Sequence, residues 1–397
     1  MDEVDNNASR SLPSIDILRK RHRSPCRSMI KRTEMRTVIS ICLFFGMILA
    51  SSSLFARTDA EPSTRALADT VGFAHRAWQM DSVMARIRAL NHDDLVRTQQ
   101  PAGTAWRAAI CPHDDYTYAG WLYPAVLQNI KAKTVIIFGV AHTAWRYHLE
   151  NQLIFDSFSS WRGPYGNVKV SPLRDEILER LPRGMAIVHD PMQSEEYSVE
   201  ALIPFLQYQN RNVEIISILV PFMDFERMQI VSQHFAKALF AVMKKNNLRW
   251  GKDVALLISS DAVHYGDEDW DGRNFAYYGT GGKANALAEA HDREIISHSF
   301  ESELTEKNIA RFYASTTDPN DFKKSRWSWC GRFAIPVGLL TALDLQKLEK
   351  SAPLSGVPIA YATSISQPHL QVDDLGMGET AIATQRHWVG YPAIGFK

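Results

Sequence analysis

The chain lacks an excess of charge of either sign. Its 44 lysine and arginine side chains are matched by 44 aspartate and glutamate side chains among 397 residues. Proteins that bind nucleic acid usually carry a basic excess, so the composition argues against a nucleic-acid partner. Hydrophobic residues make up 45% and charged residues 22%, as in ordinary globular proteins. The length allows one large domain or two smaller ones.

The N-terminal apolar run is too short for a membrane-spanning helix. Residues 37–50 are apolar over about 14 positions, where a spanning helix needs roughly 20. The basic region 1–36 precedes this run and small residues follow it up to Ala56, a pattern typical of a secretory signal. We predict a signal peptide at 37–56, a linker at 57–69 and export to the periplasm or the extracellular space. An uncleaved signal anchor is the alternative, and would be the protein's only membrane attachment.

Cysteine is scarce, and half of it falls in the predicted leader. Cys26 and Cys42 precede the mature part, which keeps Cys111 and Cys330. Two cysteines in an exported protein suggest a disulfide, but a thiolate is also a ligand for soft transition metals. Three states of Cys111 therefore stay open from the sequence: free, bridged to Cys330, or near a metal.

Internal repeats and long low-complexity tracts are also lacking, whereas apolar strands alternate with helices. The β-branched run Thr134–Phe138 is typical of a strand buried on both faces. Strands are predicted at 106–111, 134–138, 213–220, 254–259, 357–366 and 379–384, and helices at 77–90, 119–130, 199–208, 225–244, 284–299 and 335–348. This alternation predicts one α/β domain over residues 70–397, with a central mixed, largely parallel sheet flanked by helices.

Metal-ligand residue types follow several of the predicted strands. His113 and His142 each come shortly after a strand, and Asp261 and His264 follow another. Ligands in such folds bind at the carboxyl ends of the strands. Together with Cys330, the two histidines would hold one transition-metal ion and leave positions open for water or substrate.

Five motifs occur together in an order that resembles the MEMO family, which includes the bacterial AmmeMemoRadiSam system protein B. The motifs are Pro-His-x-x-Tyr-x-Tyr-x-Gly at 112–120, Gly-x-x-His at 139–142, Glu-x-Ser-x-Glu-x-x-x-Pro at 196–204, Ser-Ser-Asp-x-x-His-x-Gly at 259–266 and Cys-Gly-Arg at 330–332. The resemblance covers roughly residues 70–390. It implies a fold like that of the class III extradiol dioxygenases, which are non-haem iron enzymes.

The resemblance also implies roles for individual residues. His113, His142 and Cys330 match the metal-binding positions, while Asp261 and His264 match further polar residues of the pocket. In the dioxygenases the third ligand is a carboxylate, and a histidine at the position of His264 transfers protons. We therefore expect His264 and Asp261 to be the catalytic residues here.

The motifs depart from the family pattern around the expected site. Asp114 and Asp115 stand where Ala-Gly is usual, Tyr197 replaces a histidine and Thr143 replaces another. The two aspartates are expected either to orient an imidazole or to cap a turn, and Arg332 either to bind a substrate carboxylate or to pair with Glu200. The residues expected around the metal or the substrate are Asp114, Asp115, Tyr116, Glu200 and Arg332.

Two functions agree with these patterns. The first is a metal-dependent redox enzyme, dioxygenase-like, with one Fe(II) or copper ion; zinc is less expected. The second is a non-catalytic protein that reuses the pocket to bind a metal, an anion or a peptide. The expected partner is a small-molecule, anionic or peptide ligand, and the sequence indicates no particular oligomeric state.

Overall fold

A computed structural model describes residues 63–397 of the chain. The predicted basic region and signal peptide lie outside these residues. Within the predicted linker, Thr64–Arg65 forms a short strand rather than coil. Among the described residues, no helix combines the length and the apolar character needed to cross a membrane.

Thirteen strands in the described part of the chain build the sheet. They are β1 (Thr64–Arg65), β2 (Ala108–Cys111), β3 (Thr134–Val140), β4 (Leu153–Phe155), β5 (Ser160–Gly163), β6 (Gly166–Val170), β7 (Ala186–Val188), β8 (Glu214–Val220), β9 (Val254–Ser259), β10 (His264–Gly266), β11 (Ser302–Glu303), β12 (Ser355–Thr363) and β13 (His387–Phe396). The sheet order is β1-β5-β6-β8-β3-β9-β2-β13-β12-β11, with β10 beside β13, and β4 beside β7 and β8.

Eleven α-helices accompany these strands within residues 63–397. They are α1 (Ala77–Leu90), α2 (His92–Arg97), α3 (Tyr116–Ala119), α4 (Leu122–Leu127), α5 (Leu173–Leu178), α6 (Asp190–Glu195), α7 (Ile203–Gln209), α8 (Phe225–Lys245), α9 (Gly282–Phe300), α10 (Glu306–Thr316) and α11 (Ala334–Glu349). Short 3-10 turns lie at Ala144–Tyr147, Glu200–Leu202 and Asp373–Leu375.

The centre of the sheet is parallel and buried on both faces. Neighbours β6, β8, β3, β9 and β2 run parallel, whereas β13, β12 and β11 continue the sheet antiparallel. Along β3, Ile136 and Phe138 pack into one apolar layer with α8 and α11, while Val135 and Ile137 pack into the other with α1, α4 and α7. Burial of one such side chain contributes about 1.5–3 kcal/mol, so β3 is a principal source of stability. The predicted mixed, largely parallel α/β fold is confirmed.

Helix α11 lies close to the parallel strands because it carries a glycine at the contact. A Cβ atom on Gly338 would lie 2.5 Å from the Ile258 side chain of β9 and 3.3 Å from Phe138 of β3. The first turn of α11 therefore stays near the carboxyl ends of β3 and β9. The loop that carries Cys330 ends only a few residues before this turn.

Two sequence predictions near the site are wrong in detail. Residues 119–130 do not form one helix: α3 ends at Ala119, and only Leu122–Leu127 are helical, as α4. Pro124 lies in the first turn of α4, where its missing N–H is tolerated. The segment 379–384 is no strand, because Asp115 binds the backbone and the hydroxyl of Thr380. The last strand is β13, which the glycines and Pro392 within it conceal in the sequence.

Candidate metal centre

Three adjacent parallel strands bring the predicted ligands to one edge of the sheet. Strand β9 lies between β2 and β3, with Cys111 in register with Ser259 and Phe138 in register with Ile258. His113 therefore leaves the sheet beside Asp261, and His142 leaves it on the other side of β9. This shared edge is where ligands bind in parallel α/β sheets.

The loop before α11 completes the cluster with a thiol. The ligand atoms of His113, His142 and Cys330 all lie within 4.8 Å of one another. Cys330 Sγ is 3.5 Å from His113 Nε2, and the two imidazole ring centroids are 5.4 Å apart. The structure thus assembles the three residues that the sequence assigned to one metal ion.

A hydrogen-bond chain fixes the tautomer of His113. The hydroxyl of Ser259 donates to the carbonyl oxygen of Ser198, so its oxygen accepts from His113 Nδ1–H at 2.8 Å. Nε2 is then the lone-pair nitrogen and faces the cluster. Burial, followed by the charges of His142 and His264, lowers the pKa of His113 well below its ordinary value, which keeps the imidazole neutral as a metal ligand requires.

A buried carboxylate holds His142. Glu196 accepts from His142 Nδ1 at 2.9 Å and from the His142 backbone N–H at 2.8 Å, and the backbone N–H groups of Tyr197 and Ser198 donate to the same carboxylate. Burial alone would raise the pKa of Glu196, but His142 and these N–H donors outweigh it and hold the pKa below its ordinary value. A carboxylate that binds Nδ1 leaves Nε2 for a metal. The ring of Tyr197 stacks on His142, with centroids 5.0 Å apart.

Cys330 approaches the strand end because its neighbour has no side chain. A Cβ atom on Gly331 would lie 2.1 Å from Ser260 Oγ, so only glycine lets the loop come this close. The Asp261 backbone N–H donates to Cys330 Sγ at 3.2 Å. Burial, and then the charge of Asp261, raise the pKa of Cys330 well above its ordinary value, so the side chain is a thiol until a cation binds. Cys111 is also a free thiol, and the predicted disulfide alternative is not formed.

A second buried carboxylate anchors the loops on both sides of the thiol. Asp292 of α9 accepts from the indole N–H groups of Trp327 and Trp329 at 2.7 Å each, and from the Tyr361 hydroxyl at 2.7 Å and the Val263 backbone N–H at 3.1 Å. Burial raises its pKa to about 6. Trp329 precedes Cys330 and Val263 precedes His264, so Asp292 positions both.

The two residues predicted as catalytic lie against the cluster. Ligand atoms of Asp261, His264 and Cys330 form a second group within 4.8 Å of one another. Asp261 accepts from the His113 backbone N–H at 2.9 Å, and burial followed by the charge of Asp114 raises its pKa well above the ordinary value. Nε2 of His264 is buried without a hydrogen-bond partner within residues 63–397. Burial, and then His142 and His387, lower the pKa of His264 to about 3, so its imidazole is neutral at pH 7.

The aspartates that replace Ala-Gly do not touch an imidazole in the described structure. Asp114 accepts from the Tyr391 hydroxyl and from the Asp115 backbone N–H. The Asp115 carboxylate accepts hydrogen bonds from the Thr380 backbone N–H at 2.6 Å and from the Thr380 hydroxyl at 3.0 Å. Burial, and then the charge of Asp114, raise the pKa of Asp115 to about 8. The two carboxyl groups therefore bind other chain segments, at Tyr391 and at Thr380, rather than the histidines of the site.

Of the three other predicted site residues, Tyr116 and Glu200 make contacts elsewhere, whereas Arg332 lies beside Cys330 as expected. Tyr116 is fully buried in the apolar layer with α4 and α7, where its hydroxyl donates to the Ala201 carbonyl oxygen at 2.7 Å. The expected pair of Arg332 with Glu200 is wrong, because Glu200 forms a buried ion pair with Arg65 of β1. Arg332 instead lies on the wall of a cavity that opens beside Cys330.

The cavity has a volume of about 600 Å³, which suits a small organic ligand. The residues that line it include His142, His264 and Cys330 of the site, and also Trp145, Trp270, Phe222 and Arg332. Two of the three candidate ligands, His142 and Cys330, therefore line this cavity together with His264.

Sequence reasoning missed the residues that orient the two histidines. Ser259 and Glu196 were visible within the motifs, but no role was assigned to either. The Glu-x-Ser-x-Glu motif contains two carboxylates, and Glu200 was chosen for the site although Glu196 binds His142. Ser259 is the last residue of a buried strand and directly precedes the strand end. That position was the available indication that it reaches the site.

Comparison with known proteins agrees with this geometry. Residues 84–366 match the family described as Memo-like protein. The chain belongs to this family. MEMO1 family proteins of Thermococcus kodakarensis, Methanosarcina barkeri and Pyrobaculum arsenaticum are 26%, 30% and 31% identical to it over 169, 159 and 162 residues. These matches cover 40%, 40% and 39% of this chain, and 53%, 54% and 52% of the relatives.

The chain therefore spans about half the length of the curated relatives it matches. Membership in the Memo-like family confirms the resemblance drawn from the five motifs. All five predicted metal and catalytic positions, His113, His142, Asp261, His264 and Cys330, fall within the matched residues.

Proposed function

We propose that the protein binds one transition-metal ion through His113, His142 and Cys330 and uses it in redox chemistry. The observation that carries the proposal is the fixed tautomer of both histidines. Ser259 and Glu196 occupy the two Nδ1 atoms, so both Nε2 atoms are available beside one sulfur. Imidazole and thiolate ligands suit Fe(II) or copper, and also zinc, which has no redox chemistry. An iron or copper ion held here would supply one-electron transfer and Lewis acidity.

The surrounding residues supply proton transfer and water exclusion. His264 is neutral at pH 7, one of its ring nitrogens lies within 4.8 Å of the ligand atoms of Asp261 and Cys330, and its buried Nε2 has no partner within residues 63–397, so the ring can accept or release a proton there. Asp261 lies 3.3 Å from His113 Nε2 through Oδ2 and is the closest carboxyl to the ligand atoms. The aromatic residues that line the cavity keep bulk water from the cluster once a substrate has entered.

The enzymatic part of the proposal depends on His264. With an organic reductant supplied as the electron donor, we expect the reconstituted protein to consume dioxygen, or its metal to be reduced, in a reaction that His264→Gln slows by about 100-fold or more, as for loss of a general acid or base. Oxygen-electrode and stopped-flow absorbance measurements check this. His298→Gln, a change of an exposed histidine on α9, is the control. Turnover in His264→Gln at the wild-type rate would contradict the proposed role.

The alternative is a protein that binds a metal or an anion without turnover. It is favoured by Cys330 standing where the related dioxygenases have a carboxylate. This alternative predicts stoichiometric metal binding with no substrate-dependent change in oxidation state. Absence of turnover in a metal-loaded sample would support it over the enzyme.

We further propose that the protein is exported, on the basis of the basic region, apolar run and small-residue exit within residues 1–56. Mass spectrometry of the native protein should then find a mature N-terminus between Ala56 and Glu61. An intact leader in the cytoplasmic fraction would contradict export.

A further inference from the structure

One basic side chain of the site cavity has almost no hydrogen-bond partner. Within residues 63–397, Arg332 donates a single bond, from Nη2 to the Lys323 carbonyl oxygen at 3.0 Å, and its buried Nε–H has no acceptor. The guanidinium carries five N–H donors and is always charged. No carboxylate of residues 63–397 forms an ion pair or a hydrogen bond with it.

Two other arginines of the same molecule show what a buried guanidinium normally has. Arg65 forms an ion pair with Glu200 and donates to the backbone carbonyl oxygens of Gln193 and Glu196. Arg174 pairs with Asp156 and with Asp175, at 2.9 Å in each case. Burying a charge is costly unless it is paired and hydrogen-bonded. Arg332 therefore lacks the carboxylate that the fold supplies to the other two.

The shape of the cavity indicates what kind of carboxylate is missing. The guanidinium of Arg332 lies over the ring of Phe333, 4.5 Å from its centroid, with Phe222 at 5.8 Å. Trp145, which is 60% exposed, and Trp270 also line the cavity. Flat aromatic walls beside a planar cation favour a flat apolar body that bears a carboxylate.

The charges at the cavity agree with an anionic ligand. Four cationic side chains line it, Arg332 and the exposed or paired Arg273, Lys323 and Lys324, against two acidic ones, Asp269 and Asp271. Both aspartates are exposed, so solvent and salt screen their repulsion of an anion. Arg332 is less exposed and is screened less.

We propose that Arg332 binds the carboxylate of a small, flat organic acid, whose apolar body lies among Phe222, Trp145 and Trp270 beside Cys330. The ion pair itself is independent of the metal. The role of the bound acid as the molecule presented to the metal rests on the proposed function. The ligand is thereby narrowed from an anion of any kind to an organic carboxylate.

The test compares two probes that share one aromatic ring, of which one bears a carboxylate and the other a neutral amide of similar size. Calorimetric titration of the purified full chain with benzoate and with benzamide should show benzoate binding at least about 10-fold more tightly, as expected for hydrogen bonds to a charged group. Equal affinity for the two probes would overturn the proposal without any variant. Inorganic phosphate that competes as well as benzoate would also overturn it, in favour of a simple anion site.

Variants then locate the binding charge. Arg332→Gln should weaken benzoate about 10- to 100-fold and leave benzamide unchanged, and Arg332→Lys should recover only part of the loss because it lacks the planar fork. Lys324→Gln is the control. Lys324 lines the same cavity but already pairs with Asp321, so its replacement should change benzoate affinity less than about threefold. Benzoate binding to folded Arg332→Gln with wild-type affinity would contradict the assignment.

The same titration on metal-free and metal-loaded protein separates this inference from the proposed function. Arg332-dependent benzoate binding to a protein that takes up no metal would leave the carboxylate site standing and overturn the metal centre. A loaded metal centre with no benzoate binding would overturn the carboxylate site alone.

Discussion

On the side of the sheet, both histidines of the cluster have engaged Nδ1 atoms: Ser259 binds His113 and Glu196 binds His142. On the side of the cavity, Nε2 of His264 and Nε of Arg332 are buried with no partner among residues 63–397. We call the first group, His113, His142, Ser259 and Glu196, the sheet wall, and the second, His264 and Arg332, the cavity wall.

The two walls differ in where their hydrogen-bond partners come from. The protein supplies the partners in the sheet wall, whereas a bound ligand would supply them in the cavity wall. Buried polar groups are nearly always hydrogen-bonded, so an unpartnered one requires an explanation. In the sheet wall every orienting contact comes from the protein, which gives a preorganised pair of candidate metal ligands. In the cavity wall the donors and acceptors remain available for a molecule from outside.

The largest expected effect concerns the anchor that holds Cys330 and His264 next to the sheet wall. Asp292→Ala leaves the N–H groups of Trp327 and Trp329 and the Tyr361 hydroxyl without their acceptor, so we expect the free energy of unfolding to fall by about 3 kcal/mol or more. Urea denaturation followed by tryptophan fluorescence measures this. The exposed Asp374, which pairs with Arg86, is the control, and its alanine variant should lose less than about 1 kcal/mol.

A smaller effect is expected within the sheet wall. Both oxygens of Glu196 accept hydrogen bonds from His142. In Glu196→Gln one of these oxygens becomes an NH2 group, which cannot accept, so the imidazole is held less firmly. We expect metal affinity to fall about 10- to 100-fold, as for other groups that orient a metal-binding histidine. Competition with a chelator of known affinity measures it. Glu195→Gln changes the neighbouring, exposed carboxylate and should leave metal affinity unchanged. An equal loss of affinity in both variants would contradict the specific role of Glu196 in orienting His142.

The smallest effect is expected for metal binding in the cavity wall. Arg332 donates to no ligand residue and acts on the Cys330 sulfur only through its charge, so Arg332→Gln should lower metal affinity less than Glu196→Gln does, even though it abolishes selective carboxylate binding. The same chelator competition checks this. A loss comparable to that of Glu196→Gln would mean that the two walls are not separate.

The parallel core could be predicted from sequence because its residues are apolar on both faces. The bounds of α1 are reproduced, and those of β3, β8, β9, α8 and α11 to within two residues, since each contains a continuous or periodic apolar pattern. Strand β13 was missed because Gly390, Pro392 and Gly395 interrupt its pattern. Strands β5 and β6 pair with each other as an antiparallel hairpin, but they are short and contain few apolar residues, so their sequence gives little indication of them.

The ligands of the site could be predicted, but the residues that orient them could not. His113, His142 and Cys330 are distinctive residue types at strand ends and in a recurring motif order. Whether Glu196 or Glu200 faces a histidine depends on the turn between them and on Arg65, more than 130 residues away along the chain, which takes Glu200. Local sequence contains no information about that partner.

Metal content after anaerobic reconstitution tests the central claim most directly. Elemental analysis of the untagged protein, loaded with Fe(II) or with copper and then desalted, should find one metal ion per chain. His113→Ala, His142→Ala and Cys330→Ser should each abolish stoichiometric binding, whereas Cys111→Ser, which removes the other free thiol of residues 63–397, should retain it. A wild-type protein without bound metal, or ligand variants that bind as much as wild type, would contradict the account.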